Sequence, residues 1–350
     1  MQQADTMTSA ERRAAASLAA VFAFRMLGLF MVLPVLATYG QDLDGATPLL
    51  IGVAIGAYGF TQAILQIPFG MLSDRIGRKP VILAGLLLFA LGGLVAAQAD
   101  SMLGVVIGRV LQGAGAIAAA IMALVADLTR EQNRTKAMAM IGMSIGVSFG
   151  LAMVAGPLIA SVAGLSGVFY VTVLLALIGM VLVLWVVPTP VVAFQHREAG
   201  VVRAAFLPSL RNPELLRLNY GIGALHAILM ASFVAIPLAL QDHAGLPTSQ
   251  HWWVYLSALL VSFVAMLPAI IYAERKRRVK QVLLGAVALL AAVQLLLWLS
   301  LDSINGLVVA VVVYFTAFNL LEATLPSLLS KVAPAGAKGC LLYTSDAADE

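Results

Sequence analysis

Charged residues and cysteine are scarce in this 350-residue sequence. Asp, Glu, Lys and Arg make up 11% of the chain, whereas a soluble domain carries about 25%. The single cysteine, Cys340, excludes a disulfide bond within the chain. The sequence also has no nucleotide-binding loop, metal-ligand cluster or nucleophile–base arrangement. Its residues therefore do not indicate an enzyme, and no cofactor or metal site is expected.

Apolar residues dominate instead: they form 61% of the chain, and the mean hydropathy is +0.98. They are gathered in runs of about 20 residues without polar–apolar alternation, which is typical of membrane-spanning helices rather than strands. The first run is too long for the core of a signal peptide. The runs predict an all-α polytopic membrane protein with ten spans, at 14–38, 48–73, 80–99, 101–126, 137–164, 167–188, 218–240, 252–273, 282–301 and 306–330.

Basic residues are missing from every second connection between these spans. Of the 21 Lys and Arg residues, all except Arg25 and Arg109 fall on one face of the predicted bundle. The positive-inside rule places that face, and with it the N terminus, in the cytoplasm. Because these bases occupy short loops between apolar runs, the net charge of +4 does not indicate a nucleic-acid partner.

A long connection with three prolines divides the spans into two groups. We expect a six-helix bundle over 1–188, a cytoplasmic linker over 189–217 and a four-helix bundle over 218–339. The segment 74–78 has a counterpart in 274–278, also between the second and third spans of its group. This spacing favours two related halves, although any cytoplasmic loop tends to be basic.

Three short motifs identify a family resemblance. Residues 70–79 read Gly-Met-Leu-Ser-Asp-Arg-Ile-Gly-Arg-Lys, which resembles motif A of the major facilitator superfamily without a mismatch. Residues 109–113 resemble motif B of that family. Gly156 and Pro157 form the core of motif C, which is typical of its drug/proton antiporter branch. Motif C is partial, since Ala152 and Ala160 stand where the family often has glycine.

The resemblance implies the fold of this superfamily and a proton-coupled exporter of a small organic compound, working by alternating access in the bacterial inner membrane. The proton gradient would supply the energy. The expected partners are the lipid bilayer, the substrate and protons, with the protein as a monomer. A metabolite importer or uniporter on the same scaffold, and a membrane sensor that transports nothing, are the alternatives.

The resemblance also assigns a conformational latch to the cytoplasmic loop. In the family, the acid of motif A contacts the start of the eleventh helix, and its second arginine joins a charge relay with an acid at the end of the fourth. Asp74 and Arg78 are four residues apart and share a helix face if the second helix continues that far. The residues assigned to this latch are Gly70, Asp74, Arg75, Gly77, Arg78, Lys79 and Asp127.

Polar residues inside the spans are the candidates for coupling and substrate binding. An ionisable group buried in a membrane is costly unless it faces a wet cavity or a partner, and such groups tend to be functional. Arg109, Glu322 and His226 are the predicted proton-coupling residues. The alternatives are a structural arginine, a neutral glutamic acid and a packing histidine. In the family, the first, fourth, seventh and tenth helices line the cavity. The predicted cavity residues are Arg25, Gln62, Gln66, Gln112 and Asn319.

The last residues depart from the family pattern of twelve helices. Residues 340–350 are polar and acidic where an eleventh span is expected, and they resemble translated adapter sequence. We expect native sequence to end near Gly339.

Overall fold

The computed structural model describes residues 6–189 and 212–332. Helices make up the regular structure of this part of the chain, apart from one isolated bridge between Asp44 and Ser101. The predicted tail at 340–350 and most of the predicted linker lie outside the described residues. The chain divides into two compact units between Gln195 and His196.

The described part of the first unit contains seven α-helical segments and a short 3-10 helix, Gly40–Asp42. Thr8 caps the first helix and Thr47 the second, each accepting a backbone N–H bond with its hydroxyl. The segments are α1 (Ser9–Tyr39), α2 (Pro48–Ile76), α3 (Arg78–Ala97), α4 (Met102–Ala114), α5 (Ala118–Leu128), α6 (131–163) and α7 (165–185).

Helices α6 and α7 follow each other as one stretch, Glu131–Trp185, interrupted at Gly164. This residue has φ 64°, a left-handed conformation that glycine adopts without a Cβ penalty. A straight helix of this length would measure about 80 Å, far more than the roughly 30 Å hydrocarbon core. Nine described stretches are long and apolar enough to span a membrane. The two parts of the Glu131–Trp185 stretch, 131–163 and 165–185, are each long enough to cross the hydrocarbon core, and they correspond to the fifth and sixth of the ten predicted spans.

The predicted fourth span, 101–126, is not one continuous helix. It ends at Ala114 and resumes at Ala118. Here Gly115 packs directly on the backbone of Gly85 in α3, and the Ile117 side chain fills the space that a Cβ on Gly85 would need. This close contact with α3 accompanies the break, and the sequence pattern does not show it.

Small residues bring helix backbones together at several points in the first unit. A Cβ on Gly92 would collide with the Gly108 carbonyl oxygen at 2.5 Å, so α3 and α4 touch along their main chains. Gly113 of α4 likewise sits against the Tyr58 carbonyl of α2. Close approach through small residues is the usual means of helix association in lipid.

The second unit contains α8 (Pro213–Leu238), α9 (His251–Arg275), α10 (Val279–Leu299) and α11 (Ile304–Val332). Helix α8 takes up the last five residues of the predicted linker, because Asn212 caps it and Leu215 is buried. Tyr255, Tyr314 and Phe315 are fully buried at the centre of this unit.

The turn after α2 has a counterpart after α9. Gly77 has φ 98°, and Arg277, at the corresponding place 200 residues later, has φ 52°. Pro68 and Pro268 lie inside the two helices at the same spacing. The backbone therefore repeats where the sequence repeat is weak.

Candidate functional site

The loop between α2 and α3 carries a compact charge network centred on Arg78. Its guanidinium forms an ion pair with Asp74, lies 3.3 Å from Asp127 Oδ2 at the end of α5, and donates a 2.6 Å bond to the Ser73 hydroxyl. The Arg78 and Asp127 side chains are 11% and 8% exposed. This network joins the ends of three helices.

Asp74 and Arg78 form their ion pair without sharing a helix face, which differs from the expectation. Helix α2 ends at Ile76, and Arg78 already belongs to α3. The contact is made across the turn at Gly77, whose positive φ reverses the chain.

The other motif A residues play different parts. Arg75 is exposed and forms no ion pair within the described chain, and Lys79 is partly buried. Gly70 lies against Ala119, with a Cβ–Cβ separation of 3.3 Å if alanine replaced it. It therefore permits the close approach of α2 and α5 that brings Asp127 toward the turn.

A second polar cluster at the same end of the unit was missed by the sequence reasoning. The buried Glu11 carboxylate accepts bonds of 2.9 Å from the backbone N–H and the side chain of Arg130, and one of 3.1 Å from Asn133 Nδ2. It also accepts the Thr8 N–H in a capping box. The side-chain bonds to Glu11 raise the pKa of Arg130. The Thr-x-x-Glu pattern at 8–11 was the available signal, but it indicates only a helix start.

Two arginines are fully buried inside the spans of the first unit. Arg25 donates to Gln62 Oε1, and Arg109 donates to Gln112 Oε1 at 3.0 Å and to the Ala54 carbonyl at 3.3 Å. Their guanidinium carbons lie 5.7 Å and 4.8 Å from the centroid of the same Tyr58 ring.

The structure thus brings four of the predicted residues of the first unit into one cluster around Tyr58, which sequence reasoning did not single out. Gln66 is also buried, but its Oε1 atom has no hydrogen-bond partner among the described residues. The signal for Tyr58 is weak, because an aromatic residue in an apolar run is unremarkable.

In the second unit His226 of α8 meets Glu322 of α11, with Nε2 and Oε2 3.5 Å apart. His226 thus has a polar partner, while its proton-coupling role and the alternative of a packing histidine both stay predictions. Its Nδ1 lies 3.0 Å from the Ile222 carbonyl, and its ring makes an edge contact with Phe318. Asn319 instead donates to the Ser262 hydroxyl at 2.9 Å.

The motif C residues serve packing between α1 and α6. A Cβ on Gly156 would lie 2.5 Å from the Met31 carbonyl oxygen, so the two backbones touch there. Pro157 is buried inside α6 and removes one backbone donor. Among the residues that the structure describes, no group of three His, Cys, Asp or Glu could hold a metal ion.

Comparison with known proteins agrees with these features. The profile of the Major Facilitator Superfamily matches residues 18–342. The inner membrane transport protein YajR of Escherichia coli (strain K12) is 54% identical over 333 residues, which are 95% of this chain and 73% of that protein. The class B tetracycline resistance protein of Escherichia coli is 33% identical over 141 residues, 39% of this chain and 34% of that protein.

A solved structure shows the same fold. It is a bacterial homolog of the human lysosomal transporter Spinster in an inward-facing, unoccupied conformation, with a TM-score of 0.76 at 14% identity over 98% of this chain and 81% of that one. This chain is a multi-pass membrane protein, a transporter of the secondary type and not an enzyme, and it belongs to the major facilitator superfamily.

Proposed function

We propose that this protein exports a small organic compound in exchange for protons, by alternating access, as a monomer in the bacterial inner membrane. The N terminus and the loop at 70–79 face the cytoplasm in this proposal. The proton gradient supplies the energy, without a cofactor and without a nucleic-acid partner. The similarity to YajR supports the inner membrane, and the similarity to a tetracycline resistance protein supports export.

The pair of His226 and Glu322 carries the proposal of proton coupling. The Ile222 carbonyl can only accept, so the neutral imidazole holds its hydrogen on Nδ1, and Nε2 is left to exchange a proton. Nε2 faces the Glu322 carboxyl group at 3.5 Å. One proton can therefore reside on either group, inside two membrane-spanning helices, where ionisable side chains are rare and tend to be functional.

Arg109 has a supporting part. It is a second buried ionisable group, in the other unit, and motif B arginines accompany proton transfer in this family. Its charge would respond to protonation elsewhere in the membrane, because charges in a poorly solvated interior interact over longer distances than in water.

The Arg78 network is proposed as the conformational latch. The bonds among Asp74, Arg78 and Asp127 hold the ends of α2, α3 and α5 together. A network of charges that can rearrange gives a helix bundle two discrete arrangements, which alternating access requires. Loss of the Asp127 carboxylate should slow transport more than it alters substrate affinity.

Proton flux in proteoliposomes tests the coupling. We would add a panel of lipophilic cations, neutral compounds and anions to the reconstituted chain and record the internal pH. Export coupled to protons predicts a substrate-induced flux that Glu322→Gln reduces at least tenfold and that a protonophore abolishes.

The matched control is Asp302→Asn. Asp302 also faces a histidine, His243, at 3.4 Å, but the two side chains are 93% and 51% exposed. The control should leave the flux unchanged. An unaltered flux in both Glu322→Gln and Arg109→Ala would refute the assignment of these residues. Substrate entry that acidifies the vesicle interior would instead identify an importer.

A further inference from the structure

The cluster around Tyr58 holds two positive charges deep inside the first unit. Counted from the helix ends at Tyr39, Pro48 and Met102, the residues Arg25, Tyr58 and Arg109 lie about 21, 15 and 10 Å along α1, α2 and α4. All three are buried, and both arginines are 0% exposed. Cations at this depth need a compensating partner.

The described carboxylates of the same unit are all placed elsewhere. Each occupies a connection or the first or last turns of a helix, where it serves a cap, the loop network or the surface. These residues are Glu11, Asp42, Asp44, Asp74, Asp100, Asp127 and Glu131. No described acid of the first unit therefore lies at the depth of the two arginines.

The contacts of Arg109 are neutral throughout the described chain. It donates to an amide oxygen and to a carbonyl, and it lies over the Tyr58 ring. A cation over an aromatic face gains about 0.5–2 kcal/mol, which offsets only a part of the cost of removing a guanidinium from water. Arg25 faces the same ring and also lies 5.9 Å from the centroid of the Phe89 ring, so Tyr58 is shared between the two cations.

The cluster also has surplus hydrogen-bond donors. Arg109 Nη2, Gln112 Nε2 and Gln62 Nε2 are buried without a hydrogen-bond partner among the described residues. A guanidinium can only donate, so the oxygen of each glutamine amide must face its arginine, and the nitrogen is necessarily the free end. A buried donor without an acceptor costs roughly 1–3 kcal/mol.

An anionic group with several acceptor oxygens would compensate the two positive charges and accept hydrogen bonds from the three unused donors. We propose that Arg25 and Arg109, with Gln62 and Gln112, bind the carboxylate or phosphate of the transported compound. This inference rests on the proposed transport function and names its substrate class: a small organic anion. The rings of Tyr58 and Phe89, 6.3 Å apart and edge to face, offer an apolar surface for the rest of the molecule.

The cluster is closed in this conformation, since neither arginine is accessible. An anion therefore enters only when the helices open the cluster toward one side of the membrane, as alternating access provides. The planar guanidinium suits this task, because it binds a carboxylate or phosphate through two parallel bonds, whereas a lysine offers a point charge.

Binding of matched aromatic probes tests the charge preference. Benzoate, phenyl phosphate, benzamide and benzylamine share a ring and differ in the charge of the attached group. We expect benzoate or phenyl phosphate to raise the apparent Tm of the purified chain, with no effect of benzylamine. Arg109→Gln and Arg25→Gln should weaken anion binding about tenfold or more, because each removes charged hydrogen bonds. Exposed Arg13 is the matched control, and Arg13→Gln should bind as the unchanged chain does.

Two further variants keep the test decisive if an arginine substitution prevents folding. Arg109→Lys retains the charge but not the paired bonds. This variant should still prefer anions over cations, but it should bind them with lower affinity than the unchanged chain does. Gln62→Leu removes one free donor and should weaken anion binding severalfold. Stronger stabilisation of the chain by benzylamine than by benzoate would overturn the proposal. So would folded variants at Arg25, Arg109 and Gln62 that bind anions with the same affinity as the unchanged chain.

Two more measurements complete the test. The first distinguishes an inorganic from an organic anion, and the second distinguishes failure of the anion site from failure of the proton coupling. If chloride or inorganic phosphate stabilises the chain as much as the organic anions do, and this stabilisation is lost in the arginine variants, the site binds inorganic anions. That result would refute an organic substrate. Asp302→Asn changes an exposed residue outside both proposed sites and should leave anion binding intact. If anion binding depends on Arg25 and Arg109 while no proton flux occurs, the anion site stands and the proton coupling fails.

Discussion

Replacing Gly156 by alanine should loosen the contact between α1 and α6. The added Cβ would lie 2.5, 3.2 and 3.3 Å from the carbonyl oxygen, carbonyl carbon and Cα of Met31. All three atoms belong to backbone, so no side chain can rotate away. Ordinary contact begins at 3.4 Å, and the two helices must separate by nearly 1 Å. Overpacking of this kind costs about 1–3 kcal/mol.

The assay is thermal unfolding of the purified chain in detergent, followed by size-exclusion recovery. For a domain of 150–250 residues each kcal/mol corresponds to about 2–4 °C, so the apparent Tm should fall by roughly 2–12 °C. Gly146→Ala is the matched control, because Gly146 lies in the same helix with nothing within 4 Å of its Cβ position.

The control should be neutral or slightly stabilising, because alanine is favoured over glycine in a helix by about 0.5–1 kcal/mol. Equal Tm values for the two variants would show that the Gly156 contact does not restrict the helix separation. A rise in Tm for Gly156→Ala would refute the packing argument.

Two other substitutions test the remaining structural findings. Glu11→Gln should lower the free energy of unfolding by about 1.5–3 kcal/mol, because the buried carboxylate accepts charged bonds from Arg130 that a neutral amide cannot replace; denaturant titration measures it. Arg277→Gly should raise the apparent Tm, because φ 52° costs a non-glycine residue about 1–2 kcal/mol, and the thermal assay measures the gain.

Each of these has its own control. Glu131 is an exposed acid at the same end of the first unit, and Glu131→Gln should change stability by less than about 0.5 kcal/mol. Lys280 lies in the first turn of α10, where glycine lowers helix stability, so Lys280→Gly should have the opposite sign to Arg277→Gly. If Glu131→Gln lowers the free energy of unfolding as much as Glu11→Gln does, the explanation for Glu11 is contradicted. If Arg277→Gly lowers the apparent Tm, the explanation for Arg277 is contradicted.

The charged loop shows how far local pattern reaches. The residue types at 70–79 identified the family, and the family supplied Asp127 as the partner of Arg78, which lies 3.3 Å away. The end of α2 at Ile76 was not foreseen, because a glycine permits either a continued helix or a turn. Only the packing of α2, α3 and α5 selects the turn.

The polar residues inside the spans show the opposite case. Their presence in apolar runs marked them as candidates, since each carries a large cost in a membrane. Their partners could not be foreseen, because Arg25 and Gln62, or His226 and Glu322, are separated by long stretches of sequence. Tyr58 escaped notice for the same reason: its importance comes from two cations that other helices bring to its ring.

By itself the sequence determined the membrane class and the family, and it predicted ten spans and their orientation, because these follow from hydrophobic length, the placement of basic residues and short contiguous motifs. The tertiary structure alone decided the break in the fourth span at 115–117 and the hydrogen bonds between Arg130 and Glu11. It also decided that both buried arginines lie against the Tyr58 ring. The physical reason is that apolar helices in lipid associate through close backbone contacts and buried polar pairs. Both depend on which faces meet, and no local pattern in an apolar run encodes that choice.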